Sequence, residues 1–107
     1  MIKATIYRDD KKRITGFTVS GHSGTAKRGE DIVCAAVSAL TETALLGLGE
    51  YLHRDLDYSV ASGKLKMRLK DAPDDSTEAI LETMLIGLKK VTEVASAALK
   101  IHIANED

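Results

Sequence analysis

Gly21-His22-Ser23-Gly24-Thr25-Ala26-Lys27-Arg28-Gly29-Glu30-Asp31-Ile32-Val33-Cys34-Ala35-Ala36-Val37-Ser38 is the stretch on which the reading of the fold turns. Its first half holds three glycines, which lift the steric limit on φ and let a backbone turn sharply or approach a ligand closely. Its second half is apolar. Glu30 and Asp31 stand where acidic groups favour the positive end of a helix, so Glu30 or Asp31 is the predicted helix start. The stretch is therefore a joint between an extended region before it and a helix after it.

Working outward, residues 32–49 carry one charge, Glu42. Val33, Val37, Leu40, Ala44, Leu48 and Tyr51 share a stripe, and Leu45 and Leu46 are apolar as well. A helix apolar nearly all round is expected to be central and covered on more than one side. Gly47 and Gly49 weaken its end and predict a stop by about His53. With Glu42 and several Ser and Thr residues, the run falls short of the ~20 predominantly apolar residues of a membrane span.

Before the joint, Ile2, Ala4 and Ile6 alternate with Lys3, Thr5 and Tyr7, the period of a half-buried strand. Asp9-Asp10-Lys11-Lys12 is a charged turn, and 13–20 follow as a second strand with Thr15, Phe17 and Val19 on one face. After the helix, residues 56–60 and 65–69 alternate about Ser62-Gly63, a strong hairpin signal. Asp75 and Glu78 resemble a capping box opening a second helix. Its stripe is Ile80, Met84, Leu88, Val91, Ala95 and Ala98. Glu78, Glu82, Lys89 and Glu93 lie opposite, and Leu85 and Ile86 fall outside the stripe, available to a partner subunit. Leu99, Ile101 and Ile103 make a last short strand. The order β-β-α-β-β-α-β predicts a two-layer α/β (α+β) sandwich with two helices on a mainly antiparallel sheet.

A length of 107 residues suits a single domain, 1–107, and 44% hydrophobic with 29% charged residues describes an ordinary soluble chain. The net charge of −1 exerts no long-range pull on nucleic acid or anionic membrane, although it leaves room for a local basic patch. One cysteine forms no internal disulfide, and Met1-Ile2-Lys3-Ala4 has no apolar signal core, so a cytoplasmic location is expected.

Cys34 is the strongest chemical candidate. In the first turn of a helix its sulfur would sit beside free N–H groups and the positive end of the dipole, both of which favour the thiolate. The plain alternative is a small buried hydrophobe. His22 stands 12 positions earlier, across a loop with the glycines needed to fold back, and a neutral imidazole there can take the thiol proton. Asp31 either orients that imidazole or caps the helix. Ser38, one turn beyond Cys34, either lines the site or bonds back to the carbonyl four residues earlier. The Cys34 amide and a loop neighbour are candidates for an oxyanion hole. His22, His53, His102 and a single cysteine lack the paired spacing of a zinc site, so no metal or cofactor is expected. Gly24, Lys27, Arg28 and Gly29 before a helix suit an anion but match no nucleotide-binding motif.

Gly21-His22-Ser23-Gly24 followed by Gly29-Glu30-Asp31-Ile32-Val33-Cys34-Ala35-Ala36-Val37-Ser38 resembles the signature of the bacterial ribosomal-processing cysteine protease family, Prp. The likeness extends over the whole chain in length and element order. It implies a Cys–His endopeptidase with Cys34 as nucleophile and His22 as base. Asp31 and Ser38 match the motif, and the glycine loop of Gly21, Ser23, Gly24 and Gly29 is implied to order over the substrate. Members of that family are homodimeric two-layer proteins. They remove a short N-terminal extension, after a phenylalanine-containing apolar stretch, from the twenty-seventh large-subunit ribosomal protein in the bacterial numbering. No membrane or direct nucleic-acid partner is implied. The competing reading is a non-catalytic ribosome- or RNA-associated module that holds phosphate through the loop 21–29.

Overall fold

The computed structural model describes residues 1–21 and 28–106, with side chains from Ile32 onward in the first helix. Strand β1, Ile2–Arg8, buries Ile2, Ala4 and Ile6 and runs antiparallel to β2, Ile14–Ser20. The charged turn between them is built by Asp9. Its carboxylate accepts from the Lys11 and Arg13 amides at 2.9 and 3.0 Å, while Lys12 takes a positive φ of 68°. Side chains of this kind make turns because they offer the backbone a local acceptor.

The expected grouping of Thr15 with Phe17 and Val19 fails at a β-bulge. Tyr7 pairs with Gly16 but Arg8 pairs with Ile14, so one extra β2 residue is accommodated there. An extra residue reverses the side-chain alternation. Ile14 is buried in place of Thr15, whose hydroxyl instead donates to Glu106 at 3.1 Å.

Helix α1, Arg28–Leu46, runs into a wider π turn, Gly47–Tyr51, before His53 ends it with a φ of 55°. The stop near His53 is as expected; the start is not. It lies two residues before Glu30 and three before Asp31, so neither opens the helix, and Gly29 is helical rather than part of a loop. The buried stripe is Val33, Val37, Thr41, Ala44 and Leu48. Coverage on several sides is also not found: Ile32 and Leu46 are exposed, and Tyr51 is 80% exposed. On length and composition alone Ile32–Tyr51 is apolar enough to cross a membrane, contrary to the sequence reading, but here its stripe goes into the core of the fold.

Strands β3, Leu56–Ala61, and β4, Lys64–Leu69, form the expected hairpin. Helix α2, Asp75–Val94, then crosses to β5, Leu99–Asn105, which pairs parallel to β1. The capping box lies one residue earlier than predicted: Asp74 accepts from the Thr77 amide and Thr77 Oγ1 accepts from the Asp74 amide. Leu85 is core, not surface, at 2% exposure, whereas Ile86 is exposed. Glu78 and Glu82 do not stand off in solvent. Glu78 accepts from the Ile14 amide and Glu82 from the Arg8 guanidinium, tying the helix to the rim of the sheet. At Gly87 the two helices approach so closely that an added Cβ would lie 2.8 Å from Leu40 Cδ2.

The sheet order is β3-β4-β2-β1-β5, with both helices on one face. This is the two-layer α+β sandwich read from the sequence, antiparallel except for the β1–β5 pair.

Candidate active site

The helix layer stops short of β3, and that shortfall creates the site. Val60 pairs with Leu65 and Tyr58 with Met67, so all four point to the helix side of the sheet. Leu65 and Met67 are buried beneath the helices, but Tyr58 and Val60 remain 59% and 54% exposed. The uncovered corner is the floor of a cleft of about 270 Å³. Ile2, Val19, Val60 and Leu65 supply apolar surface, α1 forms a wall with Cys34, Ser38, Thr41 and Glu42, and the hairpin tip closes one end with Gly63 and Lys64.

Cys34 is a free, half-buried thiol packed against the core. With α1 starting at Arg28 it stands seventh in the helix, in the second turn rather than the first. An amide at that depth belongs to the i→i−4 ladder, so it is not among the free donors of the helix start. The expected oxyanion donor at Cys34 N–H is removed by this geometry. The dipole also acts less strongly on the thiol than first-turn placement implied.

The back-bond anticipated for Ser38 is made by Thr41, whose Oγ1 donates to the Val37 carbonyl at 2.9 Å. Ser38 is exposed, faces the cleft and forms no side-chain hydrogen bond with another described residue. Gly21 lines the same cleft as Cys34. Its φ of 92° favours glycine, and its amide donates to the Gly63 carbonyl at 3.0 Å, joining the end of β2 to the β3–β4 tip. His22, Ser23, Gly24 and Lys27 lie outside the described residues, as does the side chain of Asp31.

Among the cleft residues that sequence reasoning passed over are Glu42, Val60 and Lys64. Glu42 did leave a signal, being the single charge in an apolar run, two turns beyond Cys34. Val60 and Lys64 left none, since their place beside α1 depends on strand order. The displaced titrations among the described residues belong to the scaffold. Hydrogen bonds to Arg54 and then to the Thr77 amide lower the Asp74 pKa, and the Arg68 guanidinium lowers that of Glu106.

Comparison with known proteins bears on this cleft. Residues 1–100 match the family model described as cysteine protease Prp. The chain is 30% identical over 105 residues to the ribosomal processing cysteine protease Prp of Staphylococcus aureus, covering 95% of this chain and 98% of that protein. A Bacillus subtilis protein of the same name is 48% identical over 40 residues, covering 37% of this chain and 36% of that one. In structure, the chain is similar to the S. aureus protease in complex with a substrate peptide, with a TM-score of 0.88 at 25% identity over 96% of this chain and 99% of that one. It is similar also to the same enzyme with a covalently linked product peptide, with a TM-score of 0.86 at 26% identity and the same coverage.

Proposed function

The chain belongs to the Prp family of cysteine proteases, and from that premise we propose that it removes the N-terminal extension of a large-subunit ribosomal protein, the twenty-seventh in the bacterial numbering, with Cys34 as nucleophile and His22 as base. One observation carries the assignment of residues. Cys34 and Gly21 line a single cleft, and His22 is bonded directly to Gly21, so the base enters the chain at the margin of the cleft.

In this mechanism His22 takes the Cys34 proton and the sulfur attacks the scissile carbonyl carbon. The C–N bond breaks as the imidazolium returns the proton to the departing amine. Water, deprotonated by the same imidazole, then attacks the thioester, releasing the new carboxylate and restoring the thiol. The Cys34 amide lies within the helix ladder, so the oxyanion takes its donors from other groups; the exposed Ser38 hydroxyl, one turn along, is a described group available to bond the substrate. Val19, Val60 and Leu65 suit an apolar substrate segment.

The homodimer implied by the family draws support from the apolar outer face of the two helices, where Ile32, Leu46, Ile86 and Val94 are exposed. A cytoplasmic, reducing compartment suits an enzyme that depends on one free thiol. The experiment that tests the central reading is incubation with an extended ribosomal-protein peptide and mass spectrometry of the products. A single cut after the apolar stretch is expected, absent in Cys34→Ala and slowed severely in His22→Ala. Full cleavage by Cys34→Ala would remove the nucleophile assignment.

A further inference from the structure

The near-zero net charge conceals a segregation that the strand register makes visible. The face of the sheet turned away from the helices presents Lys100, Lys3, Ser20 and Lys64 as one row across β5, β1, β2 and β4. The next row along the strands is His102, Thr5, Thr18, Lys66 and Ser59. The four lysines are exposed, and among the described residues none of them forms a salt bridge. A third row, toward the other end, is neutralised: Arg68 is held by both carboxylate oxygens of Glu106 and lies over the Tyr7 ring at 4.3 Å. Unpaired cations thus collect at one end of the face, where Lys3, Lys100 and His102 also border a hollow of about 380 Å³.

From this we infer that the outer sheet face is a docking platform for RNA, held by the phosphodiester backbone of a duplex. Strands lie ~4.8 Å apart and alternate residues ~6.8 Å apart, so the lysines span roughly 14 by 7 Å of a flat surface. A duplex carries about one charge per 1.7 Å of axis, a density that occupies several such lysines together. Interleaved hydroxyls of Thr5, Thr18, Ser20 and Ser59 suit the 2′-hydroxyls of an RNA minor groove. The two rows carry a single ring, His102, and no succession of rings on which splayed bases would stack, which favours duplex backbone over single strands. An acidic peptide would want an apolar anchor and a membrane would want several protruding apolar side chains; among the described residues, beside the rows stand only Ala61 and, in the hollow, Met1 and Ile101. Lys64, at the hairpin tip, also borders the cleft, but Lys3, Lys66, Lys100 and His102 lie on the opposite side of the sheet from it, so RNA and peptide can be held together. The inference stands on the register alone and does not depend on the protease reading.

Fluorescence anisotropy with a labelled RNA duplex of about 16 base pairs tests it. Binding is expected at a Kd of about 1–100 μM, with a log–log salt slope of roughly −3 to −4. The Lys3→Gln/Lys66→Gln/Lys100→Gln variant should bind at least about tenfold more weakly, with the slope reduced by about 3, while peptide cleavage is unchanged. Unaltered RNA binding by the triple variant would overturn the inference, as would equal affinity for a DNA duplex of the same sequence. Competition by polyglutamate or by anionic vesicles at the same lysines would overturn it in favour of an acidic protein or a lipid surface. Loss of cleavage in Cys34→Ala with RNA binding retained would leave it standing.

Discussion

The two helices are of similar length and lie on the same sheet, yet they are held in different ways. Helix α2 is fastened by polar ties. Asp74 and Thr77 cap it, Asp74 pairs with Arg54, Asp75 with Arg13 and Glu82 with Arg8, and Glu78 accepts from the β2 backbone. Helix α1, among its described residues, has no such fastening to the sheet. It is held by an apolar stripe and by the close approach at Gly87, and its polar side chains Ser38 and Glu42 are left to the cleft. Ion pairs and caps fix the helix that contributes nothing to the cleft, which leaves the polar groups of the other free to face it.

Cys34→Ala should break the contrast most sharply. Cleavage should fall by at least about 10⁴-fold, while the melting temperature, read by circular dichroism, stays close to that of the parent protein. Leu88→Ala, at a fully buried position of α2, is expected to do the reverse. It should cost about 2–5 kcal/mol in urea denaturation, while the protein that remains folded keeps its specific activity. Gly87→Leu tests the contact between the helices. Overpacking against Leu40 should cost about 1–3 kcal/mol, and because the less fastened helix is the one to move, cleavage should drop beyond what stability explains. Thr77→Val removes a buried hydroxyl from the capping box and should cost about 1 kcal/mol with no change in activity.

The smallest expected effect is one of pH. Arg68 and then Thr15 hold the Glu106 carboxyl below its ordinary 4.5. A carboxylate with a lowered folded pKa adds stability that is complete above the unfolded value and is lost as pH falls through the folded one. Glu106→Gln should therefore cost a little stability near neutrality, where the carboxylate contributes fully, and flatten the profile below about pH 4.5, where the variant and the parent protein converge. The effect is modest because both partners are partly exposed.

Much of the fold was legible because its signals are local. Period-2 alternation located the strands, Ser62-Gly63 located the hairpin, and Gly47, Gly49 and His53 located the end of α1. What escaped depended on neighbours. The bulge at Thr15 inverts a face without altering composition, so counting alternate residues placed Thr15 inside and missed Ile14. Leu85 lies off the stripe drawn through Ile80 and Met84, but the sheet beneath α2 is broad enough to cover it. In the site, Cys34 and Ser38 were readable from helical spacing. Val60 and Lys64 join them only because β4 pairs with β2, a choice that residue patterns do not encode. The lysine platform escaped for a related reason: Lys3, Lys64, Lys66 and Lys100 are scattered along the chain and become neighbours only through the register of four strands.

The parallel pairing of β1 with β5 also governs when the enzyme can exist. Ile2 borders the cleft, yet its amide bonds to the Ala98 carbonyl at 2.8 Å and it pairs with Leu99. One wall of the cleft thus depends on a strand synthesised after both helices, and its closure over nearly the whole chain length is the slow kind of contact. During translation Cys34 is made early and its surroundings late, so the cleft stays unfinished for most of the protein's own synthesis.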